Sequence, residues 1–291
     1  MVEIFLPHNP FNDRFSCVKW RKKFLILYET SLSNCRAQTE NGVCTQSDPA
    51  TNVFELGWGT FITPVGGGRK KLRNVHVSVP HPRADFNTAP QGAHLMQHAG
   101  VRSLSITGQR RDAFNTAEGN ECNPLYKLSD PVTNDANMLH HTLLATYEWQ
   151  MSNGGCPPNS CAFLQLHGMS DGTCPEDDVF LSLGLSAQKT QAAFERLQSD
   201  ADALPAFRLQ RALLQVTEAA PWKSDCALLA TKNIFGRVLN GVTPEQACST
   251  LADCCTVQHP PFIHVEQHRS FRDQLDTWTR AVEMAFTPAT V

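Results

Sequence analysis

The stretch Val75-His76-Val77-Ser78-Val79-Pro80-His81-Pro82-Arg83-Ala84-Asp85 alternates apolar and polar residues and then meets two prolines. The alternation predicts a strand. Pro80 and Pro82 force extended or turned backbone, so His81 and Asp85 stand on a loop just past the strand and not on one face of a helix. Two later segments repeat the pattern. Ala162-Phe163-Leu164-Gln165-Leu166 runs into His167 and Gly168, and Phe262-Ile263-His264-Val265-Glu266 carries a carboxylate at its end. Three expected strands therefore end in a histidine or an acid, and strand ends at a sheet edge are where α/β enzymes assemble their sites.

Outward from these strands, residues 57–62 and 75–79 read as two strands around a glycine-rich turn, Gly66-Gly67-Gly68. The basic run Arg69-Lys70-Lys71-Leu72-Arg73 reads as its solvated hairpin tip. Helical periodicity covers 89–99, 134–150, 188–198, 205–217 and 271–286, and further strands are expected at 103–107, 179–183 and 227–230. Strands alternating with helices imply an α/β three-layer sandwich with a mixed, mainly parallel sheet flanked by helices. Residues 1–50 lack periodicity and read as a loop-rich N-terminal extension to a single catalytic domain over 51–291. No repeat, low-complexity tract or linker interrupts that domain.

Composition excludes some classes. With 25 basic and 28 acidic residues and a net charge of -3, bulk electrostatic binding of nucleic acid is not expected. No apolar run approaches the roughly 18 residues that would cross a membrane. The 11 cysteines lean towards an oxidising, extracellular setting, with Cys35/Cys44 and Cys156/Cys161 as local disulfide candidates. The apolar run 24–28 ends at Glu29, too short for a secretion signal of about 7–15 apolar residues, so the compartment stays open, as does the oligomeric state.

A catalytic zinc needs three protein ligands, one open position and a carboxylate to move protons. His81, Asp85 and His167 are candidates for the ligands and Glu266 for the carboxylate. With eleven histidines in the chain, ordinary core or surface roles stand beside this reading. His264 shares a sheet face with Glu266, His76 reads as structural, and His140 and His141 read as packing or surface residues.

The segments around 79–88, 166–168 and 262–267 resemble the zinc-site segments of N-formylglutamate amidohydrolase-like and zinc carboxypeptidase-like hydrolases. The resemblance runs over about residues 55–285 and lies in motif order. It implies zinc on His81, Asp85 and His167, with Glu266 as general acid/base. One departure is plain: the carboxypeptidase pattern has His-x-x-Glu, whereas the acid here is Asp85, one residue later, which leaves the second ligand open. The implied substrate is a small acyl-amino acid or a peptide bearing a carboxylate. A guanidinium suits that group because it offers two parallel hydrogen bonds. Arg111 is one candidate. Arg237, in the stretch Asn233-Ile234-Phe235-Gly236-Arg237, is another, with Asn233 beside it.

Two rival readings remain. Gly168-Met169-Ser170-Asp171-Gly172 fits the GxSxG nucleophile elbow, with Asp225 and His259 following as acid and base. An elbow must open into a helix, and here another strand is expected next. The third reading is a non-catalytic, disulfide-stapled binding or structural protein on a hydrolase-like scaffold.

Overall fold

The structure is a computed structural model that describes residues 15–20, 23–29, 57–65, 72–113, 120, 122, 124–196, 204–216, 226–254 and 256–289. The alternating stretch forms β4 (Arg73–Val79) in an eight-stranded sheet. The other strands are β1 (Phe15–Trp20), β2 (Phe24–Glu29), β3 (Thr60–Pro64), β5 (Val101–Ile106), β6 (Cys161–Leu166), β7 (Val179–Ser182) and β8 (Phe262–Gln267). Their order is β1-β2-β3-β5-β4-β6-β8-β7. The central four, β5-β4-β6-β8, run parallel, and the flanking strands are antiparallel.

Seven helices accompany the sheet among the described residues: α1 (Thr88–His98), α2 (Met138–Ser152), α3 (Ala187–Arg196), α4 (Pro205–Val216), α5 (Ile234–Leu239), α6 (Arg269–Arg272) and α7 (Leu275–Ala285). Val75, Val77, Val79, Leu104, Leu164, Leu166, Ile263 and Val265 form one wholly apolar sheet face, packed with Leu95 of α1, Leu209 of α4 and Trp278 of α7. On the opposite face Phe163 and Phe262 pack with Leu139 and Leu143 of α2 and Phe235 of α5. Helices on both faces make the three-layer α/β sandwich that the strand–helix alternation implied.

Several expectations are corrected. Phe15–Trp20 and Phe24–Glu29 are the strands β1 and β2 and extend the sheet through an antiparallel meander; a short apolar stretch suffices for a strand that needs only neighbouring backbone. The strands flanking the glycine-rich turn are not a hairpin, because β5 lies between β3 and β4. Residues 66–71 lie outside the described set. Arg73 is no solvated tip: its Nε donates to Phe286 O at 2.8 Å and its NH1 group to Ala99 O at 2.7 Å. Residues 227–230 have no strand partner and form an irregular approach to α5. The last helical stretch is broken at Asp273–Gln274 into α6 and α7.

Three disulfides are formed among the described residues: Cys122–Cys248, Cys156–Cys161 and Cys174–Cys226. Bridges of this kind persist in oxidising surroundings. The Cys35/Cys44 pair lies outside the described residues. No described helix is long and apolar enough to cross a membrane.

Candidate metal centre

From β4 the chain passes through α1 to β5 on one side, and later strands β6 and β8 build on the other side of β4. Such a reversal opens a crevice at the carboxyl ends of the parallel strands. His81 leaves the end of β4 and His167 the end of β6, so the two straddle that crevice. The proline-bounded turn after β4 is closed by hydrogen bonds from Ala84 N and Asp85 N to His81 O. This curl brings the Asp85 carboxylate back to its own histidine.

The result is convergence. His81 Nδ1 lies 3.5 Å and His167 Nδ1 3.2 Å from the same oxygen, Asp85 Oδ2. The three ligand atoms all lie within 4.8 Å of one another, and all three residues are buried. His81 Nδ1 and Asp85 Oδ2 have no hydrogen-bond partner. Unpartnered buried polar atoms are costly and call for an explanation. A tetrahedral ion with bonds near 2.1 Å sets its ligand atoms about 3.4 Å apart, close to both observed spacings. The donor set therefore fits a divalent ion of the zinc type.

The far side of each imidazole is also held. His81 Nε2 faces Asp130 Oδ1 at 3.0 Å, and His167 Nε2 faces Gln165 Oε1 at 2.9 Å. An acceptor on the remote nitrogen fixes tautomer and ring orientation and leaves Nδ1 as the lone-pair donor. Gln165 is fixed in turn by Asn233, whose Nδ2 donates to Gln165 Oε1 at 2.5 Å. Asp130 is fixed by Arg111, whose NH2 group donates to Asp130 Oδ2 at 3.0 Å.

Burial pushes the Asp85 carboxyl up, but the facing imidazoles of His167 and His81 more than reverse this and hold it well below the usual carboxylate range. His167 is shifted down by burial, only partly offset by Asp85. His81 is shifted up, because Asp130 and Asp85 together outweigh its burial.

Glu266 stands on β8, beside β6. Glu266, His264 and His167 form a second group whose potential ligand atoms are mutually within 4.8 Å. His264 Nε2 lies 3.4 Å from Glu266 Oε1, while its Nδ1 pairs with Ser182 Oγ at 3.2 Å. Burial would raise the Glu266 pKa, yet His264 and His167 keep it below the ordinary value. The carboxylate is therefore ionised at neutral pH. A third group among the described residues, Cys122, Asp135 and Cys248, is not a metal site, because its two sulfurs are joined to each other.

The other expected site residues separate clearly. Arg111 is 43% exposed in its side chain and lines a cleft of about 380 Å³ together with Arg83, Tyr126, Lys127 and Asp130. Arg237 is buried, and its donors go to main-chain carbonyls: Nε to Thr231 O, NH1 to Ala247 O and Cys248 O. It braces the 231–248 segment. Asn233 caps α5 through Oδ1 to Gly236 N and steadies Gln165 through Nδ2, so it serves His167 at one remove.

The serine reading is not supported. Residues 167–178 hold no helix, and Ser170 Oγ pairs with Thr173 Oγ1 at 2.7 Å. Asp225 lies outside the described residues, and His259 Nδ1 is buried without a hydrogen-bond partner. His76 is structural as expected, held by Ser103 Oγ and Gln150 Oε1 and pushed down to about 4 by burial.

Sequence reasoning missed Asp130 and Gln165. Gln165 had a signal, as the lone polar residue in an otherwise apolar strand core two positions before His167. Asp130 had none, since it lies on a loop far from His81 in the chain.

No protein-family model matches the chain, and no curated protein matches it. Among solved structures it is similar to a metallo-carboxypeptidase from Burkholderia cenocepacia, at 10% identity and a TM-score of 0.41. That match covers 78% of this chain and 60% of the other. It is also similar to a zinc-free, apo structure of YNDL, at 11% identity and a TM-score of 0.36, over 84% of this chain and 94% of that one. A third is the gene product Atu2144 from Agrobacterium tumefaciens, at 9% identity and a TM-score of 0.36, over 72% and 85% of the two chains. The chain thus spans less than two thirds of the first of these. The likenesses concern the course of the chain, and the reading of the site rests on its own side chains.

Proposed function

We propose that this chain is a zinc-dependent hydrolase that cleaves an amide or peptide bond in a substrate bearing a carboxylate, an acyl-amino acid or a peptide. The observation that carries the reading is the pair of imidazole Nδ1 atoms, 3.2 and 3.5 Å from one buried, otherwise unpartnered carboxylate oxygen. His81, Asp85 and His167 would hold the ion. When bound, zinc would supply Lewis acidity and lower the pKa of a coordinated water towards about 7.

The remaining work falls to the protein. Glu266, ionised beside His264 and His167, accepts a proton from the attacking water and returns it to the leaving amine nitrogen. Asp130 and Gln165 keep the two imidazoles aimed. Arg111, on the cleft next to Asp130, orients the substrate carboxylate. The alanine and lysine stems, Tyr126 and the cationic heads around that cleft suit a small polar substrate better than a long apolar one.

The test is metal analysis combined with two variants. The purified protein is expected to hold about one zinc, to lose hydrolysis of acyl-amino acids and peptides to a chelator, and to regain it with zinc. His167→Ala removes the metal. Glu266→Gln keeps the metal and lowers turnover by about 10²–10⁴-fold. A Glu266→Gln protein with normal turnover eliminates the assigned base.

A further inference from the structure

Arg272 lies outside the segments that carry the three ligands, yet it touches two of them and stands one short turn past the strand of Glu266. It is the last residue of α6 and is buried despite its charge. Its NH1 group donates to the carbonyl oxygen of Phe86, the residue after Asp85, at 2.5 Å. Its guanidinium also lies against Gly168, the residue after His167: a Cβ there would fall 2.5 Å from NH1 and 2.6 Å from Cζ. Next to it, Asp273 Oδ1 accepts from Asn87 Nδ2 at 2.5 Å. Asn87 has φ 71 and turns the chain from the ligand loop into α1.

Burying a guanidinium whose Nε has no partner is unfavourable. Such a group persists where the surrounding structure needs the geometry it enforces. Here one planar fork bridges the loop after β4, the end of β6 and the turn after β8, alongside the Asn87–Asp273 bond between the first and last of these.

We propose that Arg272 is a positioning residue that clamps the His81–Asn87 loop and the His167–Gly168 strand end onto α6, and so sets the spacing of Asp85 and His167 for a divalent ion. The inference rests on the metal centre proposed above. It also gives Gly168 a reason that owes nothing to a nucleophile elbow: any side chain there would displace the guanidinium.

Zinc affinity, measured on the full chain by competition with a chromogenic chelator, tests the clamp. Arg272→Met removes the fork. Gly168→Ala displaces it without backbone strain, since Gly168 is not in the left-handed region. Both are expected to weaken zinc about 10–100-fold, the range for residues that orient metal ligands. For Gly168→Ala, the thermal midpoint of the metal-free protein should stay near that of the parent. If Arg272→Met fails to fold, Gly168→Ala decides alone. A parent that binds zinc and a Gly168→Ala protein that binds it equally well overturn the clamp. A parent that binds no zinc overturns the metal centre and the clamp with it.

Discussion

The two faces of the central sheet are built from alternate residues of the same strands and do different work. One face is Val75, Val77, Val79, Leu104, Leu164, Leu166, Ile263 and Val265, all essentially inaccessible to water. The other carries His76, Ser78, Ser103, Gln165, His264 and Glu266, brought side by side by the registers His76↔Ser103, Ser78↔Gln165 and Gln165↔His264. Because side chains alternate with a period of two, a single strand can stabilise the fold on one side and arrange chemistry on the other. The polar face does not simply go without a core. At the amino-terminal ends of β6 and β8 it is closed by Phe163 and Phe262 against α2 and α5, with the His76 ring stacked on Phe163 at 4.7 Å, and His81, Asp85 and His167 gather past the carboxyl ends.

If that division holds, neighbouring substitutions should part company. Leu164→Ala, on the apolar face, is expected to cost about 2–5 kcal/mol of stability, read by chemical denaturation, with zinc affinity unchanged. A matching fall in zinc affinity would mean that the faces are not separable. The polar face has a pH signature of its own. His76 is wholly buried, with its pKa lowered from 6.5 to about 4 by burial. The folded form keeps the ring neutral, while the unfolded chain takes up a proton below its ordinary pKa. This contribution is therefore complete above pH 6.5 and is lost as pH falls towards 4. It amounts to roughly 3 kcal/mol at 1.36 kcal/mol per unit. His140, shifted down to about 4 as well, acts in the same direction. Denaturation curves from pH 7 to pH 4 should show the loss, with a shallower slope in His76→Gln; an unaltered slope removes His76 from the account.

Gln165→Leu sharpens the contrast next to Leu164. It leaves His167 Nε2 and Asn233 Nδ2 without their acceptor, a loss of about 1–3 kcal/mol in stability, and it should weaken zinc about 10–100-fold. Calorimetric titration that finds zinc binding intact would show that the ring of His167 is held by packing alone. The smallest effect belongs to Ser170→Ala, which touches neither face: hydrolysis is expected to stay within about twofold, the ordinary outcome for a surface change of ±0.5 kcal/mol or less. Loss of activity there would return the serine mechanism to consideration.

How much of this was legible beforehand differs from residue to residue. His81 and His167 could be found because each follows an apolar alternating run, and Pro80 and Pro82 announced a loop. Glu266 could be found from its place at the end of the last run. Asp130 could not, because its bond to His81 joins loops 49 residues apart and leaves no local pattern. The three carbonyl contacts of Arg237 were hidden for a related reason: a guanidinium reads the same in sequence whatever it meets in the fold. Strand order was equally hidden. The glycine-rich turn suggested a hairpin, yet β5 inserted itself between β3 and β4, since backbone hydrogen bonding does not depend on which strands are neighbours in sequence.

Periodicity and proline placement, properties of short stretches, determined from the sequence alone that this chain alternates strands with helices and sets histidines and acids at strand ends. Only the tertiary structure decided which ends meet, that β4 and β6 are the adjacent pair, and that Asp130, Gln165 and Arg272 hold the converging groups. Those contacts come from parallel registers and buried hydrogen bonds between distant segments. They form because unpaired polar atoms are too costly to leave in the interior, a constraint that acts on the folded molecule and writes no local signature in the chain.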